Sequence, residues 1–270
     1  SLTGRVKLRY ETEDGAFDAT VSYDRTEEDA DLAFFHYGFG PIGSPTYVGV
    51  SNPGQTFATW SDFNYSDVVS QGYSLLMNYR PNDYWTITSV SGLRLLDVHS
   101  AYSISPPTGF PAIGGNMIQS LNDTEYGPAF TQELRAVYEG DTVKFTAGVS
   151  YFSDEVWSQF GGAVRPFNQP PANLNTVATA PIVETETTSY GVFAQLDWEF
   201  LQSWTATVGL RGNREERSMH ETFPAVVGQP TLDSDVEDDH LIPKIGLSYR
   251  PTDEMMIYAS VSQGYQAPGQ

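Results

Sequence analysis

Residues 128–152 read PAFTQELRAVYEGDTVKFTAGVSYF, and the alternation within them decides the fold. Leu134, Ala136 and Tyr138 share one parity, and after the turn Glu139-Gly140-Asp141 they are answered by Val143, Phe145, Ala147, Val149 and Tyr151. Arg135 and Lys144 fall on the opposite parity. Successive side chains of a strand point to opposite faces, so the stretch predicts a β-hairpin with one apolar and one polar face.

The same unit recurs four times outward from this hairpin. Segments 2–10 and 16–25 flank Glu13-Asp14-Gly15, whose Asp-Gly pair is a strong hairpin signal, with Leu2, Val6, Leu8 and Tyr10 answered by Phe17, Ala19, Val21 and Tyr23. Segments 67–79 and 84–96 flank Pro81-Asn82-Asp83, segments 188–198 and 204–211 a short link at Leu201-Gln202, and segments 241–249 and 255–262 the turn Pro251-Thr252-Asp253. The total is ten strands in five hairpins.

The connections between hairpins, 26–66, 97–127, 153–187 and 212–240, are rich in Gly, Pro, Asn and acids and read as loops. A short turn follows each odd strand and a long connection each even one, which gathers all long connections at one end of a meander. This predicts an all-β, antiparallel transmembrane β-barrel with short periplasmic turns and long external loops. Aromatics flank the short turns in the pairs Tyr10 and Phe17, Tyr79 and Trp85, Tyr138 and Phe145, and Trp198 and Trp204, where a periplasmic girdle belongs. The basic residues are sorted too. Arg5, Lys7, Arg9, Arg94, Arg135, Lys144, Arg211 and Lys244 all take the polar parity. A basic group on the lipid face costs about 2–4 kcal/mol at mid-bilayer, so these eight are expected to face the lumen, where Asp18, Glu133 and Asp197 are available as partners. A soluble antiparallel sandwich also alternates, so parity alone does not separate the two folds. Loop alternation and aromatic placement favour the barrel.

Composition narrows the function classes. The 270 residues carry 14 Lys and Arg against 34 Asp and Glu, a net charge of -20, which argues against a nucleic-acid partner. There is no cysteine, which excludes disulfides, thiolate catalysis and Cys-based zinc sites. No apolar run approaches the ~18 residues of a membrane helix, a finding that leaves a barrel open.

Three ordered stretches carry a family resemblance. Phe130-Thr131-Gln132-Glu133-Leu134-Arg135 looks like a "TQELR" strand, and Tyr190–Leu196 followed by Val208-Gly209-Leu210-Arg211 looks like a "YAxFAQ…xGLR" hairpin. Pro243–Asp253, then Ile257–Ser260 and Gln263–Gly269, resembles a "P-x-x-G-L-x-Y-x-P-T-D" hairpin preceding "G-F/Y-x-A-P-G". Together they resemble the mid-barrel region of TonB-dependent outer-membrane receptors, over most of 128–270. The resemblance implies a 22-stranded barrel of the Gram-negative outer membrane, an N-terminal plug engaged by TonB, and import of a scarce solute such as an iron-siderophore complex, cobalamin or a saccharide. It also implies that the lumenal basic residues meet the plug. On that reading residues 1–270 are part of one barrel domain, an internal segment without plug, with membrane lipid, TonB and a small solute as partners.

Gly38-Phe39-Gly40-Pro41-Ile42-Gly43 matches G-x-G-x-x-G, yet Pro41 and the absence of a following helical pattern make it a glycine-rich external loop. Asp233, Asp235, Glu237, Asp238 and Asp239 beside His240 read as a solvated acidic loop, without the spacing of a calcium site. His36, His99, His220 and His240 show no metal-ligand spacing, and no nucleophile elbow or zincin motif occurs. No catalytic residue, metal ligand or cofactor is assigned, and no enzyme is expected. The first long connection gathers Phe34, Phe35, His36, Tyr37, Trp60, Phe63 and Tyr65, which can stack on a flat ligand at a barrel mouth or pack on one another. Two alternatives remain beside import: a complete ten-stranded outer-membrane barrel with a catalytic or adhesive rim, in which the first and last strands pair, and a soluble acidic glycan-binding β-sandwich.

Overall fold

The computed structural model describes residues 1–31, 65–103, 115–166, 181–223 and 231–265. Ten strands follow one another: β1 Leu2–Glu11, β2 Phe17–Asp31, β3 Tyr65–Asn82, β4 Trp85–Ser103, β5 Gly115–Glu139, β6 Val143–Pro166, β7 Ile182–Leu201, β8 Trp204–Thr222, β9 Leu232–Thr252 and β10 Met255–Ser262. They form one antiparallel sheet in chain order, β1 to β10. The short turns are built from local chemistry. Gly15 takes φ +66° in the first, where Asp14 Oδ1 accepts the Ala16 amide at 3.1 Å. In the second, Asn82 Oδ1 accepts the amides of Tyr84 and Trp85 at 3.0 and 3.1 Å. The β7–β8 turn places Ser203 at φ 72°.

The hairpins expected from the sequence are present, and their strands are longer than the apolar alternation foretold. Much of 97–127, 153–187 and 212–240, read as loop, is strand: β5 has 25 residues and β6 has 24. The run Asp233–His240 is likewise strand, on β9, paired residue for residue with β8 from His220↔Asp233 to Asn213↔His240. The physical reason is solvent. A bilayer crossing takes about 9–11 residues, and beyond it both faces of a strand are wet. The backbone ladder continues there while the apolar alternation that signals a strand stops.

One irregularity resets the pattern. On β5 the register against β6 shifts between Tyr126↔Val156 and Phe130↔Ser153, so four steps on β5 match three on β6. The bulge holds Gly127-Pro128, where a Cβ on Gly127 would stand 3.0 Å from Glu155 Cβ and 3.1 Å from its carbonyl oxygen. Proline lacks the ladder donor and is confined to such places. Below the bulge Phe130, Leu134 and Ala136 share the apolar face; above it Glu125, paired with Trp157, takes that face instead.

The two faces of the sheet are opposite to those of a soluble protein. Trp85, Tyr138, Phe145, Leu196, Val208, Ile245 and Val261 are successive neighbours across seven strands, an apolar row on the outer face. Large apolar side chains here are exposed, Val192 at 59% and Ile245 at 65%, and among the described residues no large side chain is fully buried. Aromatic contacts near the short turns include Trp204 on Tyr249 at 4.4 Å, Trp85 on Tyr138 at 5.2 Å and Tyr10 near Phe17 at 6.4 Å. A second set, Tyr23–Tyr73 and Phe130–Tyr151–Tyr190, lies six to eight residues further up the strands, with centroids 4.9 to 6.1 Å apart. Above it the outer face turns charged, with Arg214, Glu216, Glu237, Asp239 and the His220–Asp233 pair. Among the described residues there is no second sheet for the apolar face to pack on and no pairing between β1 and β10. Among the described residues the strands thus form neither a two-sheet sandwich nor a ring closed between β1 and β10.

Candidate functional site

The face opposite the apolar one carries the polar chemistry. Register places Arg5, Lys7 and Arg9 of β1, Arg94 of β4, Arg135 of β5, Lys144 of β6, Arg211 of β8 and Lys244 of β9 all on it. Of the expected partners, Glu133 does meet Arg135, at 3.3 Å. Asp24, which the sequence did not single out, accepts from Arg94 at 3.1 Å and lies 3.9 Å from Arg5. Arg94 reaches it by lying flat over Gly72, where a Cβ would stand 2.7 Å from the guanidinium. Lys144 contacts Glu139, and Arg9 contacts Glu11 at 3.0 Å.

Asp18 turns instead to Arg80, a residue without prior signal because it follows the last clearly alternating position of its strand. The Arg80 guanidinium donates to Asp18 Oδ1 at 2.7 Å and to the Gly15 carbonyl at 3.3 Å. Asn78 donates to Asp18 Oδ2 at 3.0 Å and accepts from the Thr88 hydroxyl at 2.9 Å. Asp18 is 4% exposed, so its charge is fully engaged by this network, which ties the first turn to β3 and β4. Asp197 is held by neutral groups, accepting from Thr207 Oγ1 at 2.5 Å and Gln195 Nε2 at 3.0 Å.

A different arrangement surrounds Arg211. Arg135, Gly148, Phe193 and Arg211 are consecutive cross-strand neighbours on this face. Phe193 lies over Gly148, and the Arg211 guanidinium carbon stands 5.7 Å from the Phe193 ring centroid. Arg211 Nε donates to Asn213 Oδ1 at 2.9 Å. Further up the same face, Arg217 and Glu215 pair at 3.3 Å, and the Tyr265 ring meets His240 edge-on at 3.9 Å.

Of the seven aromatic and histidine candidates, Tyr65 opens β3, opposite Asp31 and Ala101. Phe34, Phe35, His36, Tyr37, Trp60 and Phe63 lie outside the described residues, as does the Gly38–Gly43 stretch.

A single long meander, apolar and exposed on one face, polar and cross-linked on the other, with aromatic rows between, is the wall of an outer-membrane barrel. The family model described as "TonB dependent receptor-like, beta-barrel" matches residues 5–270, and the chain belongs to that family. Members of the family are proteins of the Gram-negative outer membrane, and the family is one of transporters, not of enzymes. Among solved structures, the ferric yersiniabactin uptake receptor FyuA from Yersinia pestis is similar at TM-score 0.71 and 17% identity, over 96% of this chain and 36% of that one. The siderophore receptor PiuA from Acinetobacter baumannii is similar at TM-score 0.67 and 16% identity, over 96% and 41%. The closed form of the ferric-catecholate import receptor Fiu from E. coli K12 gives TM-score 0.67 and 11% identity, over 96% and 43%. At these identities the likeness concerns the fold, and the chain spans well under half the length of each.

Proposed function

We propose that this chain forms part of the wall of a transporter that imports a scarce iron chelate across the outer membrane, with energy delivered by TonB through a plug in the lumen. The observation that supports this is the family match across residues 5–270. In this reading the 270 residues are barrel throughout, and β1 and β10 continue into further strands that complete the wall. The polar face lines the lumen, and its eight basic residues, Arg5, Lys7, Arg9, Arg94, Arg135, Lys144, Arg211 and Lys244, serve the plug or the passing solute. Phe34, Phe35, His36, Tyr37, Trp60, Phe63 and Tyr65, which the sequence carries from the end of β2 to the start of β3, are in this reading the candidates for contact with the ligand. Protein groups hold and guide the solute without making or breaking its bonds.

The test is uptake of radiolabelled iron, supplied as a panel of ferric chelates, by cells with and without the full-length receptor and with and without TonB. Import that needs both proteins is expected for at least one chelate. Equal iron uptake with and without the receptor across the panel would refute the reading.

A further inference from the structure

The last described strand ends early, and the chain beyond it turns onto the wall. β10 pairs with β9 only as far as Ser262↔Lys244, followed by one bond from the Gln263 amide to the Pro243 carbonyl oxygen at 3.2 Å. The return bond cannot form, because Pro243 has no N–H to donate. Among the described residues, β9 from Leu232 to Ile242 has β8 on one side and no strand on the other. Tyr265 instead lies across β9, its ring edge-on to His240 with centroids 3.9 Å apart. Its hydroxyl stands 3.5 Å from Glu215 Oε2 on β8, one strand further. Register sets His240 opposite Asn213 and Asp238 opposite Glu215, all on the inner face of Arg211 and Lys244.

The two sides of this contact are held very differently. On the wall, His240 is fixed at both ring nitrogens, Nδ1 by the Asp239 carbonyl oxygen at 2.8 Å and Nε2 by Asp238 at 3.3 Å. Glu215 is paired with Arg217 at 3.3 Å, and its side chain is only 12% exposed. The chain that carries Tyr265 lacks such support. A Cβ on Gly264 would meet no atom within 4 Å, so the backbone there stands clear of the wall, at the residue with the widest choice of angles. An aromatic edge and one long hydrogen bond, without a backbone ladder, are contacts that thermal motion breaks and remakes. A second seat also exists for the same segment. Continuing the register of Ser262↔Lys244 would set Gly264 against Ile242 and Tyr265 against Leu241, along the open side of β9. Leu241 faces outward, so that shift would carry the ring from the inner to the outer face. A hinge, a tip and two alternative seats make a two-state element.

We propose that Gln263–Tyr265 is a strap latched onto the inner face of β8 and β9 by Tyr265, and that the latch releases for a ferric chelate to pass. The seat formed by His240 and Glu215 stays in place while the chain turns at Gly264 and takes up the open side of β9. This rests on the transport reading above and adds to it a moving part that belongs to the wall rather than to the plug.

The experiment uses the full-length receptor carrying His240→Cys and Tyr265→Cys, residues 1–270 having no cysteine of their own. A short thiol-specific cross-linker that reductant cleaves locks the strap to its seat. Asn213→Cys with His240→Cys, cross-strand neighbours within the wall, is the control lock. Import of radiolabelled iron is followed in cells given ferric citrate, a ferric trihydroxamate or a ferric tris-catecholate. Locking the strap should bring import to background and reductant should restore it, while the control lock leaves import unchanged. Failure of the strap pair to cross-link, full import by the locked strap, or equal loss in the control lock overturns the proposal. Tyr265→Phe keeps the ring and needs no cross-link, so it serves even if the cysteine pair does not fold. Loss of the hydroxyl should speed amide exchange at 263–265 about fivefold in the purified receptor, with 241–249 unchanged. Exchange equal to wild type at 263–265 overturns the latch as well. If the strap pair imports both locked and reduced, this inference falls and the transport reading stands. If none of these chelates enters through the wild-type receptor, the transport reading fails and this inference falls with it.

Discussion

At Gly148 two groups already occupy the space a Cβ would take: the Phe193 ring at 2.6 Å and the Leu134 carbonyl oxygen at 2.8 Å. The second is backbone and cannot swing aside, so Gly148→Ala should destabilise the barrel by about 1–3 kcal/mol. Gly209 is the internal control. A Cβ there would meet Lys244 Cβ at 3.5 Å, an ordinary contact, and Gly209→Ala should lie within about 0.5 kcal/mol of wild type. Both are measured as the shift of the unfolding midpoint of the full-length receptor in detergent; equal shifts would contradict the packing argument. His220 offers a second residue-scale prediction, outside the bilayer, eight residues beyond Gly212. Its hydrogen bond to Asp233, at 2.5 Å, raises its pKa above the ordinary imidazole value, with the charges of Asp233 and Glu184 adding to the effect. A pKa raised on folding stabilises the paired form below the unfolded value of about 6.5, and that stabilisation is lost as pH rises through the folded value. Exchange protection of the β8–β9 tip should therefore be greater at pH 6 than at pH 8, and Asp233→Asn should remove most of the difference.

At the scale of elements, the strands outlast the membrane. If Asp233–His240 is β9 rather than loop, its amides should be protected from hydrogen exchange to a degree comparable with residues 241–249, as read by exchange mass spectrometry. Rapid exchange confined to 233–240 would contradict the pairing with β8. The Gly127-Pro128 bulge belongs to this scale as well. Side chains alternate with period two, so removing one residue at the bulge moves every outer position of β5 to the other face. Deletion of Gly127 should turn Glu125 to the inner face and loosen the pairing of β5 above the bulge, read as faster hydrogen exchange at 115–126 with the heat-modifiable band of the folded receptor retained. Insertion of one glycine into the turn at Asp253-Glu254 should be tolerated, because no paired residue changes face. How much of each element could be read beforehand follows from the same physics. The hairpin core at 143–151 was legible because lipid on one side and water on the other impose alternation there. Residues 232–240, wet on both sides, carried no such mark.

For the whole molecule, the sidedness of the sheet is the property to challenge. Val192 is 59% exposed on the outer face, between the two aromatic sets, so Val192→Arg should cost about 2–4 kcal/mol on insertion into lipid vesicles. Ser150→Arg, in the next cross-strand position but on the polar face, should cost much less. Similar costs at both positions would mean that the outer face does not meet lipid. The amino-acid sequence by itself determined the class of fold, the five short turns and the one face shared by Arg5, Lys7, Arg9, Arg94, Arg135, Lys144, Arg211 and Lys244. These follow from local rules: the period of a strand, the turn preferences of Asp-Gly and Pro-Asn-Asp, and the penalty for charge in lipid. Tertiary structure alone decided the length of the strands beyond the membrane, the reversal of parity at Gly127-Pro128, and the choice of partners. Asp18 took Arg80 rather than a neighbour on β1, and Arg211 took Phe193 and Asn213 rather than a carboxylate. Such pairings depend on register between strands whose paired residues stand as much as 62 apart in the chain, and on which positions lack a Cβ, neither of which any single segment encodes.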